Sequence, residues 1–229
     1  MDMNNFTFNT TSGIRFGSGM SKTCVEEISK KLGSNILFIT DKDLMSLNLT
    51  KPMLSELSKY SSIVEVFQDV EADPSIKTLL NSIEVGKKIK ATGVIGFGGG
   101  SSMDVAKLTS LILGSNEDIE DAWGVSNAKG PRLPLVLIPT TAGTGSEVTP
   151  ISIITVGEEE KKGVSSPIIL PDISILDPDL TIGLPAHTTA ATGIDAMVHA
   201  IESYTCLLYT SDAADEGLGV DLGGRRIIK

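Results

Sequence analysis

The chain has 229 residues, of which 41% are hydrophobic and 21% charged, a balance typical of a folded globular protein rather than a disordered one. Its formal net charge of −10 and its lack of basic clusters argue against a nucleic-acid partner, because phosphate binding needs grouped Lys and Arg. The start lacks the pattern of a signal peptide, no apolar run reaches the ~18 residues of a membrane span, and two cysteines cannot build a disulfide framework, so a cytoplasmic location without membrane contact is expected.

The first ninety residues predict alternating strands and helices. Apolar alternation at 6–8 and 14–17 around a Thr-Ser-Gly turn predicts a hairpin. A helix over 24–32 is expected to begin with Ser21 as its cap and to end at Gly33. The other elements are strands at 35–40 and 63–67 and helices at 54–59 and 76–90.

The alternation continues up to about residue 181. Its elements are strands at 93–97, 133–138 and 151–156, two short β runs within 167–176, and a helix at 103–113. A further helix at 187–204 is expected to enter a new segment. Residues 158–162 are all Glu or Lys and predict a charged turn. The predicted fold class is α/β: a Rossmann-like parallel sheet domain with helices on both faces.

A glycine-rich turn connects the strand at 93–97 to the following helix. It consists of Gly98, Gly99, Gly100 and Ser101. Three glycines let the backbone approach a ligand closely, and the helix start adds positive potential, so the turn favours a phosphate group. The spacing matches neither G-x-G-x-x-G nor G-x-x-x-x-G-K-[ST]. The alternative is a tight turn that needs glycine for its geometry alone.

A second polar loop, residues 139–147, follows the strand at 133–138. Its hydroxyl-bearing residues are Thr140, Thr141, Thr144 and Ser146. Ligands of α/β proteins bind at the carboxyl ends of the strands, so a second such loop strengthens the prediction of a ligand site there. A polar turn with local side-chain caps is the alternative.

Asp41 stands directly after the strand at 35–40. An acidic residue at this place can accept hydrogen bonds from ribose hydroxyls and would repel a 2′-phosphate, which favours NAD over NADP. On sequence alone, a helix N-cap is an equally good interpretation.

Asp195 and His199 are four residues apart in the predicted helix at 187–204, and therefore lie on one face of it. A carboxylate and an imidazole placed in this way can bind one divalent metal ion. A simple Asp–His hydrogen bond or an exposed helix face is the alternative. His187, the only other histidine, is interpreted as a helix-start or surface residue.

Over residues 8–204 the sequence resembles the iron-containing alcohol dehydrogenase family. The most specific motifs are GFGGGSSMDVAK at 96–107, PTTAGTGSEVT at 139–149 and TGIDAMVHAIESY at 192–204. The resemblance implies an NAD-binding α/β domain at 1–182 and, from 183 to 205, the first helix of a truncated all-helical domain. It also implies a metal held by one Asp and three His, of which Asp195 and His199 match the first two.

The resemblance further implies a set of cofactor contacts. The glycine turn with Ser101 would hold the pyrophosphate, with Asp104 nearby; the hydroxyl residues of the second loop would line the pocket; Asp41 would bind the ribose, and Lys162 would approach the cofactor.

The function implied is reversible hydride transfer between a small alcohol or aldehyde and NAD, assisted by Fe(II) acting as a Lewis acid. The ligand types alone also admit zinc or another divalent ion. The alternatives are a relative of glycerol dehydrogenase or dehydroquinate synthase, and a catalytically inert nucleotide-binding fragment. Assembly into a homo-oligomer is left open.

The last segment, residues 206–229, has no clear helix or strand period and resembles the translation of a sequencing-library adapter. We therefore expect it to be an artefactual tail, with the true protein continuing differently after about residue 205.

Overall fold

The computed structural model describes residues 9–157 and 160–205; the predictions for 1–8, 158–159 and the adapter-like segment lie outside these ranges. The strands are β1 (Ile14–Phe16), β2 (Asn35–Ile39), β3 (Ile63–Phe67), β4 (Gly93–Gly98), β5 (Gly124–Val125), β6 (Leu135–Pro139), β7 (Ile151–Val156), β8 (Glu160–Ser165) and β9 (Ile173–Leu176). The helices are α1 (Met20–Thr23), α2 (Val25–Leu32), α3 (Lys42–Ser46), α4 (Lys51–Tyr60), α5 (Ile76–Ile89), α6 (Gly100–Ser115), α7 (Ile119–Ala122) and α8 (Ala186–Thr205).

Six strands form one parallel sheet in the order β1-β9-β6-β4-β2-β3. Its central strands β4 and β6 are buried along their whole length, as expected of strands covered on both faces. Adjacent residues of β2 point to opposite faces, so Leu37 packs in one core with Leu79 of α5, and Ile36 packs in the other with Ile28 of α2. The predicted α/β fold class is therefore confirmed.

A second, smaller sheet has the order β5-β8-β7, with β7 and β8 antiparallel and β5 parallel to β8. Residues 160–162 were expected in a charged turn, but they belong to β8, where Glu160 pairs with Val156 and Lys162 with Ile154. The prediction is wrong for these residues because pairing with β7 extends the strand into the charged run. The small sheet packs on α6, against which Ile154 and Val164 are fully buried.

Two further predictions are wrong for local reasons, and a third is only partly within the described residues. Residues 14–16 pair in parallel with β9, and the hairpin expected between them and residues 6–8 stays a prediction because 6–8 lie outside the described ranges. Ser21 lies inside α1 instead of capping the next helix, because its hydroxyl and N–H both donate to Asp177. The first of the two β runs expected within 167–176 is a 3-10 turn, since Pro167 lacks an N–H for a ladder and Ser166 caps the turn.

The predicted helix at 187–204 is confirmed as α8. Several of its large apolar side chains face solvent; Ile194 is 57% and Met197 55% exposed. Within the described ranges, no helix combines the length and the apolar character that crossing a membrane would require. The domain boundary between 182 and 183 stays a prediction.

Asp177, directly after β9, ties the N-terminal end of α1 to the main sheet. Its carboxylate accepts from the backbone N–H groups of Gly19 and Ser21, both at 3.0 Å, and from the Ser21 hydroxyl at 2.6 Å. Burial acts to raise the pKa of Asp177, but the hydrogen bonds from Ser21, Gly19 and Asp179 together outweigh it, so the pKa lies below its usual value.

We expect Asp177→Asn to lower the free energy of unfolding at pH 7 by about 1–2 kcal/mol, because the ionised carboxylate loses its charge-assisted hydrogen bonds. A lowered folded-state pKa means that this stability is present above the unfolded-state pKa of about 3.9 and is lost as the pH falls below it. Urea unfolding of both proteins at pH 7 and pH 3 measures the difference. An equal difference at the two pH values would contradict the prediction.

Candidate active site

The connections of the main sheet reverse direction between β2 and β4. From β2 the chain moves to β3 at one edge, whereas from β4 the next strand of the sheet is β6, on the opposite side. Such a reversal opens a crevice at the carboxyl ends of the two strands, where open α/β sheets bind their ligands. Asp41 follows β2 and the glycine turn follows β4, so both border this crevice.

Four helices directly follow strands of the main sheet, and they differ in how their first N–H groups are satisfied. Asp41 caps α3, Ser75 caps α5, and Asp177 accepts from the start of α1. At the start of α6, Gly99 makes no side-chain capping hydrogen bond. The N–H groups in the first turn of this 16-residue helix are thus available to an anion, which the helix dipole also attracts.

Gly98 has a backbone conformation that only glycine adopts readily, with φ of +152°. A Cβ atom here would lie 2.6 Å from Oγ of Ser102 and 3.3 Å from the side chain of Leu44. The turn therefore needs glycine at position 98 for its geometry, as the alternative to a phosphate site had proposed. The same geometry brings the backbone and the first turn of α6 to the crevice.

The second polar loop lies against the glycine turn. A Cβ on Gly99 would contact Thr141 at 3.8 Å, and a Cβ on Gly100 would contact Thr144 at 3.4 Å. The N–H of Thr140 donates to the Gly98 carbonyl at 2.9 Å and fixes the start of the loop. The structure thus brings together the two loops that the sequence indicated.

Two buried hydroxyls at this edge of the sheet lack a hydrogen-bond partner within the described ranges: Oγ1 of Thr40, after β2, and Oγ1 of Thr141, after β6. A buried polar group without a partner is unfavourable by about 1–3 kcal/mol. A ligand that supplies hydrogen-bonding groups in the crevice would satisfy both. The residues present therefore fit a dinucleotide.

Asp41 has the helix-capping role that was one of its two interpretations. Its Oδ1 accepts from the N–H of Leu44 at 2.8 Å. Burial raises the pKa of Asp41, and this hydrogen bond only partly offsets the effect. Capping leaves Asp41 at the crevice, where binding of a ribose stays a prediction.

Asp104 and Ser146 are held by protein groups. Ser146 Oγ donates to Oδ1 of Asp104 at 2.9 Å, and Oδ2 of Asp104 accepts from the N–H of Ile153 at 3.1 Å. Burial raises the pKa of Asp104, while the charge of Lys107 and these two hydrogen bonds lower it in part. The two residues thus connect α6 to the second loop, and a direct cofactor contact from either stays a prediction.

Lys107 was not identified from the sequence, although it lies inside one of the quoted motifs. It is fully buried on α6, and its ammonium donates to Ser146 and Thr149. The signal was a lysine inside the otherwise uncharged run 105–115, three residues after Asp104.

Lys162, expected near the cofactor, lies on β8 in the small sheet. Its ammonium is 3.5 Å from a carboxylate oxygen of Glu120 and 6.0 Å from the centre of the Trp123 ring. These contacts place it beside α7, and its approach to a cofactor stays a prediction.

Asp195 and His199 face each other on α8, with Oδ1 of Asp195 3.5 Å from Nε2 of His199. This distance is longer than an ordinary hydrogen bond. Two ligands about 2.1 Å from a shared tetrahedral ion lie about 3.4 Å apart, so the pair fits a divalent metal. In the described ranges no cluster of three or more His, Cys, Asp or Glu side chains could hold a metal ion.

Gly143 places the second loop directly against the helix that carries this pair. A Cβ on Gly143 would lie 2.9 Å from Cβ of Thr192 and still closer to the Thr192 carbonyl oxygen. Because Thr192 is one turn before Asp195, this contact sets the position of the proposed metal ligands relative to the second polar loop, residues 139–147, called the threonine loop below.

Gly143→Ala should force α8 away from the loop and lower the free energy of unfolding by about 1–3 kcal/mol, the range for overpacked sites. Urea unfolding and limited proteolysis within α8 measure the two effects. Gly193→Ala is the matched control, since a Cβ there meets nothing within 4 Å and should stabilise the helix by about 0.5–1 kcal/mol. Equal behaviour of the two variants would contradict the contact.

The chain is similar in sequence and in fold to known proteins. The sequence is 36% identical to a sulfoacetaldehyde reductase of Bilophila wadsworthia, covering 87% of this chain and 52% of the relative. It is 37% identical to long-chain-alcohol dehydrogenase 1 of Geobacillus thermodenitrificans, covering 89% of this chain and 52% of the relative. The chain thus spans about half the length of these relatives.

Solved structures agree. A 1,3-propanediol oxidoreductase matches with a TM-score of 0.83 and 32% identity over 88% of this chain and 53% of its own. A sulfoacetaldehyde reductase of Bifidobacterium kashiwanohense, solved with NAD+, matches with a TM-score of 0.79 and 30% identity, covering 88% of this chain and 54% of its own. The sequence model of the family described as iron-containing alcohol dehydrogenase matches residues 11–178, more than half of the chain. The chain therefore belongs to the iron-containing alcohol dehydrogenase family.

Proposed function

We propose that this chain supplies the NAD-binding part, and two metal ligands, of an enzyme that transfers hydride reversibly between a small alcohol and NAD. The observation that carries the proposal is the open start of α6, placed at the crevice between β2 and β4 and facing two threonines of the second loop. Family membership and the relative solved with NAD+ support the same cofactor.

Each part of the crevice has a task in binding the dinucleotide. The N–H groups at the start of α6 bind the pyrophosphate, because they are uncapped and lie at the positive end of the helix dipole. The hydroxyls of Thr40 and Thr141 gain the partners that they lack. Asp41 faces the ribose and disfavours a 2′-phosphate, which makes NAD the preferred cofactor over NADP.

Asp195 and His199 would hold a divalent cation, Fe(II) in keeping with the family, although their ligand types also suit zinc. When bound, such an ion supplies Lewis-acid polarisation of the alcohol oxygen. The chain's own contribution is orientation: Gly143 holds α8 against the threonine loop, so the ligand pair and the cofactor site keep a fixed separation.

An inert nucleotide-binding module is the second candidate, because no third metal ligand joins the Asp195–His199 pair within the described ranges. Titration with NADH together with metal analysis separates the two. Binding of NADH together with about one metal ion per chain supports the oxidoreductase, provided that the metal is lost in Asp195→Asn and His199→Gln. Binding of NADH without metal supports the inert module, and absence of NADH binding would overturn both.

NADH binding can be followed by energy transfer from Trp123, the single tryptophan of the chain. Ser101→Glu should weaken binding about tenfold or more, since it places a carboxylate where the pyrophosphate is expected and costs about 1.4 kcal/mol or more. Ser55→Glu adds the same charge at an exposed position of α4 and should leave the affinity unchanged. Equal affinities of the two variants would refute the phosphate site at the start of α6.

A further inference from the structure

The ammonium of Lys107 is enclosed within the protein and has a full set of acceptors. The residue is 0% exposed. Its Nζ donates to Oγ of Ser146 at 3.0 Å, to Oγ1 of Thr149 at 3.2 Å and to the carbonyl of Ile151 at 2.6 Å. An ammonium has three protons, so these three acceptors, all within one short segment, satisfy it.

Asp104, one turn before Lys107 on α6, binds the same segment. Its Oδ1 is 4.0 Å from Nζ of Lys107 and accepts from the Ser146 hydroxyl, so this hydroxyl bridges the two charges. Its Oδ2 accepts from the N–H of Ile153, and its carbonyl accepts from the hydroxyl of Ser152. One turn of α6 therefore holds the chain from residue 146 to 153.

The loop that leads into this segment also contacts α8 through Gly143, and the Glu147 carbonyl accepts a hydrogen bond from the Ser174 hydroxyl of β9. Gly143 and Gly145 both lie within this loop, and Gly145 has φ of +64° with open space around it. Upstream, the N–H of Thr140 donates to the Gly98 carbonyl. Downstream, the next ties to α6 are the bonds of Lys107 and Asp104 to the Ser146 hydroxyl, so the hydroxyls of Thr141 and Thr144 lie between two anchored positions.

Burying an ammonium is unfavourable unless every proton is bonded, and a buried ion pair is often no more stabilising than apolar residues of similar volume. The charge is therefore expected to matter less for the free energy of unfolding than for the position of the groups to which it donates. These three bonds end on residues 146–151, at the end of the threonine loop and in the chain that follows it.

We propose that Lys107 is a positioning residue of the cofactor site: its ammonium fixes residues 146–151 to α6 and thereby keeps Thr141 and Thr144 over the glycine turn. The proposal rests on the proposed binding of NAD. Lys107 touches no cofactor atom; it acts through the loop.

The test replaces Lys107 by Met in the full chain, which keeps an unbranched side chain only one atom shorter and removes the charge. Two quantities are measured: the Kd for NADH by energy transfer from Trp123, and amide hydrogen exchange of residues 140–149 without ligand. We expect the Kd to rise about tenfold, the loss typical of a hydrogen bond to a charged group, and exchange in the loop to become faster. Unchanged Kd and unchanged loop exchange would overturn the proposal.

Because Lys107→Met also leaves Asp104 without its counter-charge, a second variant changes an acceptor of the Lys107 ammonium instead of the ammonium itself. Thr149→Val removes one acceptor and should raise the Kd about threefold, with faster exchange at 140–149. Thr109→Val is the matched control: Thr109 lies on the same helix as Lys107, and the variant removes its buried hydrogen bond to Ser82 of α5, away from the loop. A merely structural role of Lys107 predicts that Thr109→Val changes Kd and loop exchange as much as Thr149→Val does.

The failure of the proposed function gives a different result. If the unmodified chain binds no NADH, the nucleotide site is overturned, whereas loop exchange still decides the role of Lys107. Faster exchange at 140–149 in both Lys107→Met and Thr149→Val, but not in Thr109→Val, then supports the tie, and equal exchange in all three refutes it.

Discussion

All six strands of the main sheet run in the same direction, and the site follows from this constraint. Parallel strands release their following loops at one edge, so Asp41 after β2, the glycine turn after β4 and the threonine loop after β6 become neighbours although they are far apart in sequence. A single antiparallel strand would carry its loop to the opposite edge. Helices cover both faces of the sheet, and the loops at its edge border the crevice.

Local patterns predicted most of the main sheet. The apolar runs at 35–40, 93–97 and 133–138 each became a buried parallel strand with bounds close to those expected, because a continuous apolar run of five or six residues between turn residues favours a buried strand. The pairing of β1 with β9 and the small sheet were not predictable in this way. Both depend on partners far along the chain, which strand-forming residues alone do not specify.

The two polar loops and the pair on α8 were also identified from residue types, whereas the polar interior of α6 was not. A lysine three residues after an aspartate normally suggests an exposed ion pair. Lys107 is instead enclosed, because β7 covers that side of α6, and the covering strand could not be placed from the sequence. The same enclosure commits the hydroxyl of Ser146 to Asp104 and Lys107, although its motif suggested a ligand-facing role.

The edge strand β1 imposes an order on how the protein forms. Ile14 pairs with Ser174, about 160 residues further along the chain. A ribosome adding about 5–20 residues per second delivers that partner roughly ten to thirty seconds after β1 has emerged. Until then β9, the strand with which β1 pairs, has not been made, and Phe16, 74% exposed even in the folded structure, offers an apolar contact to a neighbouring nascent chain. Translation speed therefore sets the interval during which this edge can pair with a neighbouring chain.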